Sequence, residues 1–359
     1  MTLAATCGQL VIGGFPGATL SAVAARALRE RRRGGVILFK PNLAPEAKDV
    51  AAALAGLTRE VHAAAPDPPF VGIDQEGGRV ARLRAPFLKV PPMQTVASWG
   101  DVAFAERIAR AVGAELAAIG ITIDFAPVLD VNTRPTNPVI GDRAFASDAP
   151  TCAAFGAAWV RGLQSAGVLA CGKHFPGHGD TTKDSHLDLP FVDQPWERID
   201  RVELTPFRAA VAEGIAAIMS AHVVYPAIDP TRPATLSPEV CGRLRSAVGF
   251  TGLLVSDDLE MRAIEARYAI EDAAIAAIAA GCDVLLVCWS EDKQERAVDA
   301  LIREASSSPA FRARCEEACA RSLVARRRAG PIATGADWAA VVDGPESRAV
   351  AAAIEARSS

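Results

Sequence analysis

Leu253-Leu254-Val255-Ser256-Asp257-Asp258-Leu259-Glu260-Met261 is an apolar run that passes directly into acids. A short apolar run of roughly four to eight residues reads as a buried strand. The carboxylates at its end then stand at the mouth of whatever the strand lines. Comparable β-rich runs lie near Gln9 to Gly14, Gly35 to Phe39, Phe70 to Asp74, Ile121 to Phe125, Val168 to Lys173, Ile215 to Ser220, Gly252 to Ser256 and Asp283 to Cys288. Each is followed by a helix candidate, such as Phe104 to Ala118 or Ala263 to Ala280, although abundant Ala blurs the helical periodicity. Alternation of this kind predicts an α/β fold, a TIM-type (β/α)8 barrel ringed by helices.

The connections are unequal. Long Gly/Pro-rich excursions follow the third, fourth and fifth strands (Gln75 to Gly100, Ala126 to Pro150, His174 to Arg201), whereas those leading back into the strands are short. Active sites of such barrels lie at the carboxyl ends of the strands, so three enlarged loops there imply an elaborated pocket. Residues 1–330 are expected to form the barrel and 331–359 a linker and a C-terminal helix packing on it.

Of the 359 residues, 50% are hydrophobic and 22% charged, a composition that supports a large core and excludes a disordered chain. A net charge of -4 provides no broad basic field, and no nucleic-acid partner is expected. Two arginine runs, Arg31 to Arg33 and Arg326 to Arg328, read as helix ends in which cations complement the dipole. The eight cysteines are scattered without a CxxC pair, which suits reduced core thiols and a cytoplasmic location. With no run apolar enough to span a bilayer, no membrane association is expected, and a monomer is. No cofactor and no metal site are expected.

Four segments carry chemistry. Asp74-Gln75-Glu76-Gly77-Gly78-Arg79 follows the third strand. A carboxylate there can accept two sugar-type hydroxyl bonds, and Asp74, at the strand end, is the candidate; Glu76 with Arg79 reads equally well as an ion pair bracing a turn. Gly141-Asp142-Arg143-Ala144-Phe145 offers a permanently charged donor fork with no assigned role. Asp130, Asn132 and Asn137, upstream of it, read as turn stabilisers. The third segment, Lys173-His174-Phe175-Pro176-Gly177-His178-Gly179-Asp180-Thr181-Thr182-Lys183-Asp184-Ser185-His186, packs three of the five histidines into a Gly/Pro-broken loop. Alternate residues of an extended segment share a side, so Asp184 can accept from one imidazole nitrogen of His186 and leave the other as an acid/base near neutral pH. His178 and Asp180 read as braces of that loop. In the fourth segment, Asp257 and Asp258 end the seventh strand, one placed for covalent chemistry and one for capping the next helix. His222, at the end of the sixth strand, reads as a satisfied supporting histidine.

Together with Gly34-Gly35-Val36-Ile37-Leu38-Phe39 and Phe125-Ala126-Pro127-Val128-Leu129-Asp130, these segments resemble glycoside hydrolase family 3, most closely its single-domain bacterial β-N-acetylglucosaminidases. The resemblance implies Asp257 as nucleophile, the Asp184/His186 dyad as acid/base, and Asp74, Arg82, Arg143, Lys173 and His174 as sugar-binding residues. The reaction implied is retaining, exo-acting hydrolysis of terminal non-reducing β-linked N-acetylglucosamine, with anhydromuramyl-peptide fragments of peptidoglycan recycling as the small-molecule substrate. The alternatives are a β-glucosidase-type member of the family, a metal-dependent amidohydrolase, or a non-catalytic sugar sensor. The amidohydrolase lacks its His-x-His on the first strand, and the sensor has no need of Asp257 with an intact dyad.

Overall fold

A computed structural model describes residues 1–43, 47–181, 189–330 and 338–358. Eight parallel strands close into a barrel: β1 (Val11–Gly13), β2 (Gly35–Ile37), β3 (Phe70–Ile73), β4 (Ile123–Asp124), β5 (Leu169–Phe175), β6 (Ala217–Ser220), β7 (Leu253–Asp258) and β8 (Val284–Val287). Each pairs with its neighbours in chain order, and β8 closes on β1 with Val11 opposite Leu285. The eight expected strands are all present in the expected order.

Side-chain alternation builds two apolar layers from these strands. Ile12, Ile37, Phe70, Ile123, Leu169, Met219, Leu253, Val255 and Leu286 pack together inside the barrel. Their neighbours Val11, Val36, Val71, Ala170, Ile218, Leu254 and Leu285 face the helical ring instead. Because both faces of every strand are covered, the strands read as continuous apolar runs. All eight cysteines are buried free thiols.

Helices start where short polar side chains accept an amide hydrogen. Asp101 caps Val102–Ala118 and Asp148 caps Ala149–Ser165 in this way, each bonding the amide three residues on. The expected helix Ala263 to Ala280 is instead two, Arg262–Glu265 and Ile270–Ala280, with Ala269 in an extended conformation between them. An Ala-rich stretch has no apolar period to betray such a break.

The arginine runs serve differently from expectation. Helix Ala22–Arg29 ends before Arg31, and Arg31, Arg32 and Arg33 pair with Asp67, Glu295, Asp299 and Glu295 across to other elements. Arg326 does end its helix, but it is buried and donates to Gln9 Oε1 and to the Gly34 and Pro68 carbonyls at the amino-terminal end of the barrel. At the C-terminus, helix Pro345–Ser358 lies against helix Val102–Ala118, with Glu346 paired to Arg107 and Arg357 to Asp101. No described helix is long and apolar enough to cross a membrane.

Candidate active site

A cavity of about 560 Å³ opens at the carboxyl ends of the strands, lined by Asp74, Glu76, Arg82, Arg143, Lys173, His174, Asp257 and Asp258 among others. Two β-bulges shape its wall. On β5, Gly172 faces Ile218 and Phe175 faces Ser220, which is three steps along β5 against two along β6. On β7, Val255 faces Val284 and Asp258 faces Leu286, again three steps against two. An extra residue breaks strict alternation and re-aims side chains. Lys173 and His174, and likewise Asp257 and Asp258, therefore line the same cavity although they are sequence neighbours.

Four of the five sugar-binding candidates, Asp74, Arg82, Arg143 and Lys173, form one ion network with Glu76. Lys173 Nζ bridges Asp74 Oδ1 at 2.8 Å and Glu76 Oε1 at 2.7 Å. Arg82 donates to Asp74 Oδ2 at 3.0 Å, and Arg143 grips both Glu76 oxygens at 2.8 Å each. Such a bidentate pair fixes both planes. The Glu76–Arg79 brace, one of the two readings of that pair, is absent; Arg79 pairs with Asp142 at 3.2 Å. Burial alone would discharge Lys173, but Asp74 and Glu76 outweigh it and hold the ammonium well above its ordinary pKa. Burial likewise works against the Glu76 charge, and Arg143 and Lys173 together carry that carboxylate well below the usual range. Two of the three Lys173 donors are committed, and its third N–H has no partner among the described residues. Arg143 also donates to the Val139 carbonyl at 3.2 Å, which leaves only part of its fork free.

Asp130 is more than a turn stabiliser. It is fully buried and accepts from the His174 and His178 amides at 3.2 and 2.6 Å and from His174 Nδ1 at 2.7 Å. Burial raises its pKa, but His174 and His178 overcome this and keep it ionised. A carboxylate can only accept, so His174 Nδ1 carries the proton and Nε2 is the atom left toward the cavity. Asn137 does cap a turn, accepting from the Val139 and Ile140 amides. His178 and Asp180 brace the loop as expected. His178 Nδ1 meets Thr181 Oγ1 at 2.9 Å, and Asp180 accepts from Gln194 at 2.7 Å and pairs with Arg134 at 3.3 Å. Burial, with His174 beside it, lowers the His178 pKa to about 4.

The two acids of β7 are pushed apart. For Asp257, burial would raise the pKa, but His222, His174, the Asp258 amide and Lys173 together hold it below the ordinary value. Asp258 goes the other way, to about 7, because of burial and the nearby Glu260 and Asp257 charges. Asp258 Oδ1 also accepts from the Glu260 and Cys288 amides at 3.1 and 3.2 Å, tying β7 to the end of β8. One carboxylate thus favours its anionic form in the cavity, as attack on an electrophilic carbon requires, while the other braces. His222 is satisfied as expected, with Nδ1 on Thr235 Oγ1 at 2.8 Å and Nε2 on the Asp258 carbonyl at 2.9 Å. Asp184 and His186 lie outside the described residues.

Asp124, at the end of β4, gave no signal in the sequence. It is fully buried, with Oδ1 accepting the Gln75 amide at 2.9 Å and Oδ2 without a partner. Burial drives its pKa up to about 8. Between about 3.9, its unfolded value, and about 8 the folded chain holds a proton that the unfolded chain releases. Its contribution to stability is therefore complete below about pH 4 and is lost as pH rises through about 8. In Asp124→Asn, which cannot ionise, the melting temperature relative to wild type is expected to climb from about pH 5 to about pH 8. Calorimetry at both pH values checks this, and a flat or falling difference would mean that Asp124 is ionised in the fold.

Among the described residues no group of three or more His, Cys, Asp or Glu side chains is placed to hold a metal ion, so the amidohydrolase alternative finds no ligand set there. The glycosyl hydrolase family 3 N-terminal domain matches residues 2–323. The β-hexosaminidase of Nitrosomonas eutropha is 39% identical over 280 residues, covering 76% of this chain and 79% of that one. That of Thiobacillus denitrificans is 42% identical over 270 residues, 73% of each chain. In three dimensions, a family 3 β-N-acetylglucosaminidase from Paenibacillus sp. superposes with a TM-score of 0.92 at 40% identity, over all of this chain and 69% of that one. NagZ from Neisseria gonorrhoeae, solved with N-trifluoroacetyl-D-glucosamine, superposes with a TM-score of 0.82 at 30% identity over 98% of both. By extent of match and by identity alike, the chain belongs to glycoside hydrolase family 3.

Proposed function

We propose that this protein removes terminal non-reducing β-linked N-acetylglucosamine with retention of configuration, acting in the cytoplasm on anhydromuramyl-peptide fragments in peptidoglycan recycling. The observation that carries the reading is Asp257, a carboxylate kept ionised at the end of β7 on the wall of a cavity whose other groups are arrayed for hydroxyls. An Asp257 oxygen attacks the anomeric carbon, the glycosidic C–O bond breaks, and His186 gives its proton to the departing oxygen. Water then attacks the same carbon, His186 takes its proton, and Asp257 is released. Asp74, Lys173, Arg82, Arg143 and His174 hold the ring, and Asp184 sets the tautomer of His186. Relatives that are β-hexosaminidases and a structural neighbour bound to an N-acylated glucosamine support this substrate.

The test is selectivity for the acetamido sugar. A pocket shaped for it is left partly unpaired by glucose, so kcat/KM on an aryl β-N-acetylglucosaminide is expected to exceed that on the aryl β-glucoside by about a hundredfold or more. Equal values would make the protein a β-glucosidase-type member.

A further inference from the structure

Met1, Phe191, Trp289 and Val324 are the large hydrophobic residues exposed among those described, and of the four only Trp289 lines the cavity that holds Asp257. The residue is 59% exposed. Nor is it a loose side chain on a loose loop. The Trp289 and Ser290 amides both donate to Glu260 Oε2, at 2.6 and 3.1 Å, and the Ser290 hydroxyl caps the next helix by accepting from Lys293 N. Glu260 stands three positions after Asp257, so the backbone that carries the indole is tied to the segment just after the strand that bears the attacking carboxylate.

On its protein side the indole stacks on Phe39, with centroids 4.6 Å apart and planes at 24°. The Arg82 guanidinium lies over the same Phe39 ring at 5.5 Å and bonds Asp74. A chain of packed groups therefore runs from the carboxylate that binds the terminal sugar outward to an exposed aromatic face. A pyranose presents a face of C–H groups and an edge of hydroxyls. The first suits an indole, and the second suits Arg262 and Glu265, which line the same cavity.

We propose that Trp289, backed by Phe39, is the platform on which the leaving-group ring stacks. The inference rests on the glycosidase reading above and deepens it, since it assigns the residue that meets the ring on the far side of the bond that Asp257 breaks. An alternative role for the indole is merely to shield Phe39.

The experiment compares wild type, Trp289→Ala and Trp289→Phe on two substrates: N,N'-diacetylchitobiose, which leaves as a pyranose, and β-N-acetylglucosaminyl fluoride, whose leaving group has no ring. In Trp289→Ala, kcat/KM on the disaccharide is expected to fall about tenfold further than on the fluoride, the scale of one aromatic contact. The loss should be mainly in KM, and Trp289→Phe should recover most of it. Equal losses on the two substrates, or no loss on either, overturn the platform and leave the glycosidase reading standing. Wild-type protein that turns over neither substrate overturns the glycosidase reading, and the platform with it.

Discussion

Asp257→Ala is expected to lower kcat by about three orders of magnitude or more, the scale seen when a covalent nucleophile acting with a partner group is removed. The variant should fold. Its carboxylate is anchored by the Asp258 amide at 2.8 Å, within the strand, whereas Asp258 binds the Cys288 amide of the β8 end. Truncating Asp258 strands two amides, those of Glu260 and Cys288, and truncating Asp257 only that of Asp258, so Asp258→Ala should lower the melting temperature more than Asp257→Ala. Steady-state turnover with thermal melts of both variants checks this. More than a tenth of normal activity in Asp257→Ala would refute the assignment.

His186→Ala should separate substrates by leaving group. Departing alkoxides need a proton at the breaking bond, and activated phenols do not. For sugar leaving groups, loss of a general acid is worth roughly 10²–10⁴ in rate. For nitrophenyl substrates the loss in the first step should be far smaller, and added azide should restore release of the sugar from Asp257. Asp184→Asn should show the same pattern more mildly, through loss of the tautomer-fixing carboxylate. Uniform slowing of every leaving group would make the dyad structural and turn attention to Glu76, although its grip by Arg143 and Lys173 leaves it no proton to give.

The barrel was legible because its strands are buried on both faces and so stand out as apolar runs between Ala-rich helices. Only their ends moved: β5 continues to Phe175, and β4 shrinks to Ile123–Asp124. The candidate residues at strand ends, Asp74, Lys173, His174 and Asp257, could be expected at the cavity they line for the same reason. Three things had no local signal. The bulges of β5 and β7 depend on register with a neighbouring strand. Glu76 finds its partner 67 positions away in Arg143, not in the nearby Arg79. The hold of Asp130 on His174 crosses 44 positions. Sequence spacing orders what lies along one element, and contacts between loops wait for the barrel to close.

The central claim is that Asp257 becomes covalently bound to the sugar. A 5-fluoro N-acetylglucosaminyl fluoride slows both steps but keeps an activated leaving group, so the glycosyl-enzyme should accumulate. Peptide mapping by mass spectrometry after brief incubation is expected to place one sugar on Asp257. Label on Asp258 or on any other residue, or inactivation with no covalent label at all, would contradict the account.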